Sequence, residues 1–229
     1  MPRRNNEIKR IETFSDAVFA FAITLLIVSL EVPKNFEELM INMRGFFAFG
    51  ISFTLLVFIW NEQHKFFRNY GLDDVWILTF NMILLFIVLF YVYPLKFLFT
   101  LIFSNEIYGE GKSPLKIKDT QLPALMEIYA IGYVVIYSLF YCMYLRALKM
   151  ADHLGLNELE RFDCQTDKYK QLVMISVGLL SFVLALTLPS ELMWIAGITF
   201  AVIGPALTIF YFRRGRKRKI KLKKLAIQE

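Results

Sequence analysis

Cysteine and histidine are nearly absent, with two of each in 229 residues. Cys142 and Cys164 are too few and too separately placed for a disulfide framework or a thiolate metal site. Cys142 falls in an apolar run and Cys164 in a charged loop, and both are expected to be free thiols. His64 and His153 come with no H-E-x-x-H or G-x-S-x-G pattern, whereas catalysis needs several reactive groups within reach of one another. The chain is not expected to be an enzyme, and no cofactor or metal is implied. Long polar stretches are missing too. The connection from Ser104 to Leu122 reads as a solvated loop, and that from Met150 to Asp167 is polar and could form a short helix. Neither has the spacing of a nucleotide or metal site, and no soluble domain fits between the apolar runs.

What the chain has is apolar surface: 57% hydrophobic residues, 16% of all residues being aromatic. Ordinary soluble chains run at roughly 45–50% apolar, and here the apolar residues come in runs separated by charge. A spanning helix needs about 20 such residues to cross roughly 30 Å of hydrocarbon. The fold class is therefore an all-α integral membrane protein of six transmembrane helices, near 14–32, 43–66, 74–103, 123–147, 170–188 and 191–212. No convincing cleavage site follows the first run, so it is expected to remain as a helix. The third run exceeds what a bilayer requires and should tilt, kink near Pro94 or protrude. Lys96 can snorkel outward or pair within the bundle, and its place near the outer end favours snorkelling; Tyr91 and Tyr93 are expected to join an interfacial aromatic belt. The last two runs, separated only by Pro189, Ser190 and Glu191, form a tight hairpin.

Basic residues give the orientation. With the N-terminus inside, cytoplasmic segments hold 20 of the 26 Lys and Arg and outer segments five, the asymmetry expected of a protein with both ends in the cytoplasm. Nine lie between Arg213 and Lys224. Directly after a transmembrane helix such a run reads as an anchor on anionic lipid rather than a nucleic-acid contact. The chain thus divides into a transmembrane unit, residues 1–212, and a basic cytoplasmic tail, residues 213–229, in a multi-pass protein of the cell membrane.

The stretch from Arg10 to Pro33 is the most informative. At about 100° per residue, Arg10, Phe14, Phe21, Thr24, Leu25 and Val28 share one side of a helix. Asp16, Ile23 and Ile27 fall opposite, with Ser15 between. Two readings stay open for the polar entrance. Thr13 or Ser15 could cap the helix, with Asp16 on the positive end of its dipole, or the group could bond to other helices. A lone Thr24 on an apolar stripe could likewise bond only its own backbone.

R-x-x-x-F-S-D at Arg10, Phe14, Ser15 and Asp16 resembles the signature of the transmembrane protein 175 family of potassium channels. The resemblance continues through FIWNEQHKFF (Phe58 to Phe67) and LTFNMILLF (Leu78 to Phe86), and the layout is similar to that of single-repeat prokaryotic members. It implies a homo-oligomer, a tetramer in such members, whose first helix lines a central pore with no re-entrant loop. Consistently, no TVGYG-like carbonyl filter is present. It further implies a constriction of apolar side chains with a nearby hydroxyl layer, at Phe21, Thr24 and Val28, with Leu25 beside them. Phe21 departs from the usual Ile or Leu, and a ring of four phenylalanines would be bulkier. The polar entrance is implied to bond a Trp, a His and an Asn, for which Trp60, His64 and Asn81 are candidates. Gln63 stands where the first histidine of W-x-x-H-H would be.

The function implied is a passive, potassium-permeable cation channel, with potassium as permeant ion and not cofactor. The alternative is an ion- or proton-coupled secondary transporter. That class usually shows paired repeats, broken helices or midplane carboxylates, and none is apparent here.

Overall fold

The computed structural model describes residues 9–28, 33–109 and 117–225, without the side chains of Val28, Asp119, Lys224 and Leu225. Every regular element among the described residues is helical: α1 (Arg10–Val28), α2 (Phe36–Tyr70), α3 (Val75–Ile102), α4 (Ser104–Tyr108), α5 (Leu122–Lys149), α6 (Glu158–Thr187), α7 (Met193–Ile198) and α8 (Ile203–Leu225). Among those residues, α2, α3, α5, α6 and the run Ser190–Lys223 are long and apolar enough to cross a membrane. The 19-residue α1 carries Arg10, Glu12 and Asp16 in its first two turns and borders on residues 29–32, outside the described ones. The stretch expected as a solvated loop from Ser104 to Leu122 begins instead with α4, whose Ile107 is buried, and its residues 110–116 lie outside the described ones.

Two helices, α2 and α6, begin well before their apolar runs, and capping explains why. Asn35 accepts the Glu38 backbone N–H at 2.8 Å, so α2 starts seven residues before the expected 43. At α6, Asn157 accepts from the Glu160 N–H at 2.8 Å while the Glu160 carboxylate accepts from the Asn157 N–H at 2.9 Å. This reciprocal box satisfies two otherwise orphan donors. It converts much of the expected 150–167 loop into the first turns of a 30-residue helix. Cys164 therefore lies buried on α6, not in a loop; it and the half-buried Cys142 are free thiols. Pro94 is carried inside α3 without ending it. Tyr93 is exposed, but Tyr91 is buried and so does not stand in a lipid-facing belt.

The described residues group into two compact units, one made of those within 9–71 together with 82–109 and 117–118, the other of 72–81 together with 119–225. In the first, α1 packs antiparallel against α2, and α4 inserts the buried Ile107 near α2. Gly71 ends α2 in the left-handed conformation, φ 56°, where a side chain would strain the backbone.

In the second unit α6 packs on α5 and α8. The Tyr133 ring lies 4.5 Å from Tyr137 and 5.0 Å from Phe200, and its hydroxyl meets the Met174 sulfur at 3.5 Å. Gly178 on α6 faces this cluster. The Arg146 guanidinium at the end of α5 meets Asp74 at 2.9 Å. After the tight turn at Pro189 the last apolar run is not one uniform helix. Residues Thr199–Val202 wind as a 3-10 segment between α7 and α8. Pro205, in the first turn of α8, has no N–H for the carbonyl four residues back, which disfavours regular α geometry there. The Ala196 carbonyl is satisfied by two hydroxyls, Ser181 at 2.8 Å and Thr199 at 2.6 Å.

Candidate functional site

The site is built on α1. Its buried face is Ile11, Glu12, Ser15, Phe19, Ala22 and Leu26. The exposed side is wide, taking in Thr13, Asp16, Ala20 and Ile27, so that Asp16 and Ile27 are not turned inward; within it Arg10, Phe14, Ala17, Phe21 and Thr24 follow at steps of four, three, four and three residues. Phe14 and Phe21 are 50% and 57% exposed. A 3.5-residue period is that of a stripe meeting other helices along its length, and neither a guanidinium nor a hydroxyl gains by facing hydrocarbon. Leu25 is half-buried at the edge of the stripe. Val28 ends α1, and its side chain lies outside those described.

Three contacts fix α1 within its own unit. Near its start, the Lys9 ammonium donates to the Gly71 carbonyl at 2.6 Å, at the end of α2. Two turns in, Trp60 Nε1 donates to Asp16 Oδ1 at 2.7 Å. Near the far end, Lys96 Nζ donates to the Leu26 carbonyl at 3.1 Å. The last four carbonyls of a helix lack intrahelical donors, and an ammonium there also suits the negative end of the dipole. Lys96 is thus tied inside the bundle and does not snorkel outward.

The capping reading of Thr13 and Ser15 is overturned, because the helix begins at Arg10. Instead the Glu12 carboxylate accepts from the Lys9 N–H at 3.4 Å. The Thr13 hydroxyl donates to the Lys9 carbonyl at 3.5 Å, and the buried Ser15 hydroxyl to Ile11 at 2.7 Å. His64 stacks on Trp60, one turn earlier on α2, with ring centroids 5.2 Å apart. Gln63 is buried in α2, and Asn81 is buried in α3, in the second unit. Arg10 is exposed and forms no ion pair among the described residues. Sequence reasoning missed the anchoring role of Lys9 and the burial of Glu12 and Glu62, and it ranked pairing of Lys96 inside the bundle below snorkelling. A contact between residues 70 apart leaves no local pattern.

Replacing Trp60 by Phe keeps an aromatic ring against His64 and deletes the indole N–H. The half-exposed bond to Asp16 should be worth about 1 kcal/mol, read as a lowered melting midpoint in detergent. An unchanged midpoint would show that this bond does not hold α1.

Thr24 is exposed, and its hydroxyl points its proton inward, to the Ala20 and Phe21 carbonyls at 2.9 and 2.8 Å. Its oxygen lone pairs are then left for whatever faces α1. That suits a cation, which accepts oxygen ligands, and would not suit an anion.

Helices of spanning length and an exposed, partly polar face on α1 define a multi-pass helical membrane protein. The family model for the endosomal/lysosomal potassium channel TMEM175 matches residues 10–91, which cover α1, α2 and most of α3. A potassium channel of Marivirga tractuosa is 42% identical over 194 residues, covering 81% of this chain and 78% of that one. One of Streptomyces collinus is 34% identical over 89 residues, 36% of this chain and 43% of the other. Among solved structures, a threonine-to-alanine variant of the potassium channel MtTMEM175, bound to a nanobody–MBP fusion, superposes with a TM-score of 0.82. It is 37% identical, with 93% of this chain and 96% of that one covered. A TMEM175 homologue from Chamaesiphon minutus, 21% identical, shares the fold at a TM-score of 0.59 over 90% of this chain and 96% of that one. This chain belongs to the TMEM175 family of potassium channels, as a prokaryotic member.

Proposed function

We propose that four copies of this chain surround a passive potassium-permeable pore lined by α1. Phe21 forms the narrow apolar neck, and Thr24, with Leu25 beside it, forms a hydroxyl layer one turn further along. Val28 closes the stripe. Each copy crosses the cell membrane six times, counting α1, with both ends in the cytoplasm and the basic tail against anionic lipid. The observation that carries this reading is the Thr24 hydroxyl on an exposed face, its proton held by the Ala20 and Phe21 carbonyls. Four such oxygens around an axis can replace part of the hydration of a potassium ion. Arg10, Phe14, Ser15, Asp16, Trp60, Gln63, His64 and Asn81 then serve as scaffold that sets the position of α1.

Ion flux through purified protein in liposomes, potassium against sodium, tests the function. Thr24→Val keeps the β-branched shape and removes the oxygen, so the potassium preference should fall toward unity with assembly intact. A preference unchanged in that variant removes Thr24 from selection. Flux that demands a coupled ion gradient would point to a secondary transporter instead.

A further inference from the structure

The contact between α6 and α8 carries a ladder of basic residues. Lys221 Nζ meets Glu158 at 3.2 Å, and Arg218 holds both oxygens of Asp163, at 2.8 and 2.9 Å. The next rung differs in kind. Arg214 Nε donates to the Thr166 hydroxyl at 3.0 Å and Nη2 to the Phe162 carbonyl at 3.4 Å. The guanidinium lies 4.3 Å from the Phe162 ring centroid and 5.3 Å from that of Tyr169. All of these partners are neutral. Asp163 also acts on Arg214 electrostatically, but both its oxygens are engaged by Arg218. Nη1 of Arg214 is uncommitted among the described residues.

Arg214 stands at one end of an open groove of about 450 Å³, lined also by Tyr169, Leu172, Val173, Ser176 and Phe210. The order of the rungs shows that α6 and α8 run antiparallel. Leaving the tail, one meets Glu158 with Lys221, Asp163 with Arg218 and Thr166 with Arg214, and then the apolar part with Phe210. Ser176 adds little polarity there, since its hydroxyl donates to the Val173 carbonyl at 2.8 Å. A guanidinium without a carboxylate partner therefore sits where an apolar helix passes into a basic tail, and a groove runs from it to the apolar side.

We propose that this groove binds one anionic phospholipid, its phosphate on Arg214 and an acyl chain along Leu172, Val173 and Phe210. Guanidinium and phosphate form strong charge-assisted bonds, and anionic headgroups concentrate beside juxtamembrane basic residues. A soluble anion has no use for the apolar half of the groove. The site requires the membrane-spanning fold but not potassium conduction, so the two can fail separately.

Native mass spectrometry of the purified full chain in detergent, offered dioleoyl phosphatidylglycerol or dioleoyl phosphatidylcholine, reads the binding. Retained phosphatidylglycerol should exceed phosphatidylcholine. Arg214→Gln should lower it roughly tenfold, the factor expected for losing a charge-assisted contact. Val173→Phe, which fills the groove and leaves Arg214 in place, should lower it as well. Lys219→Gln removes the same charge from the exposed tail and should change little. Equal losses in Arg214→Gln and Lys219→Gln would reduce the effect to diffuse attraction by the tail. Full binding in Val173→Phe would overturn the groove. Displacement of the lipid by millimolar inorganic phosphate would mark an anion site instead.

Discussion

Phe21→Ala is expected to raise potassium flux at least tenfold while leaving the preference over sodium in place. Phe21 is 57% exposed on the outward stripe of α1, so in the proposed tetramer four rings meet at one level. A narrow apolar neck holds no stable column of water, and an ion passing it must shed hydration with nothing in return. Alanine removes the ring and widens the neck by the space of four side chains. Each 1.4 kcal/mol or so taken from the barrier is a tenfold gain in rate, and dehydrating a monovalent cation costs many times that. Thr24 is untouched, and its hydroxyl is positioned by backbone carbonyls, so the selecting layer should survive. Liposome flux in both cations checks this. Equal flux from well-folded wild-type and variant protein would place the constriction elsewhere, with Val28 the next candidate.

The second large effect is structural. A Cβ added at Gly178 would lie 2.7 Å from Val134 Cγ2 and 2.8 Å from Tyr133 Cδ1, closer than side-chain carbons approach. Neither neighbour yields easily. Val134 is β-branched and stiff at χ1. Tyr133 is held by Tyr137, Phe200 and the Met174 sulfur. In lipid, helix association depends on such close approach at small residues, because the surrounding chains are as apolar as the core. Gly178→Ala should cost about 1–3 kcal/mol by overpacking, and Gly178→Leu should part α5 from α6. The reading is the melting midpoint and recovery of assembled protein in detergent. Gly215→Ala is the control, since a Cβ there meets nothing within 4 Å, and alanine favours helix. A Gly178→Leu protein that melts like wild type would remove this contact from the stability of the unit.

Helix identity was legible because each apolar run is long. The stripe on α1 follows from 100° per residue, and Arg10, Phe14, Phe21 and Thr24 are exposed; Leu25 is half-buried, and Asp16 and Ile27, expected opposite, are exposed as well. Helix starts were misplaced where apolarity alone set the boundary. Asn35 with Glu38 and Asn157 with Glu160 carry capping signals in plain sight, but they sit in polar stretches that a hydropathy reading assigns to loops. Other features could not be read at all. The bond from Lys96 to Leu26 and the two hydroxyls on the Ala196 carbonyl join residues whose proximity follows only from packing. Thr13 and Ser15 left two readings open because a hydroxyl near a helix start is as fit to bond four residues back as to cap.

The three contacts that hold α1 have a bearing on current. Lys9, Asp16 and Leu26 are each bonded to α2 or α3 of the same unit. A stave fastened to its own backing at both ends and between cannot slide or twist alone. In the proposed pore, the cheapest motion that changes the bore is then a χ1 rotation of Phe21, not a shift of the helix. Where four rings meet, each must turn in concert with its neighbours, more slowly than the picoseconds to nanoseconds of an exposed side chain. Such a channel would leak at a level set by the populations of four rings, and altering the packing of those rings should alter its current more than loosening the helix would.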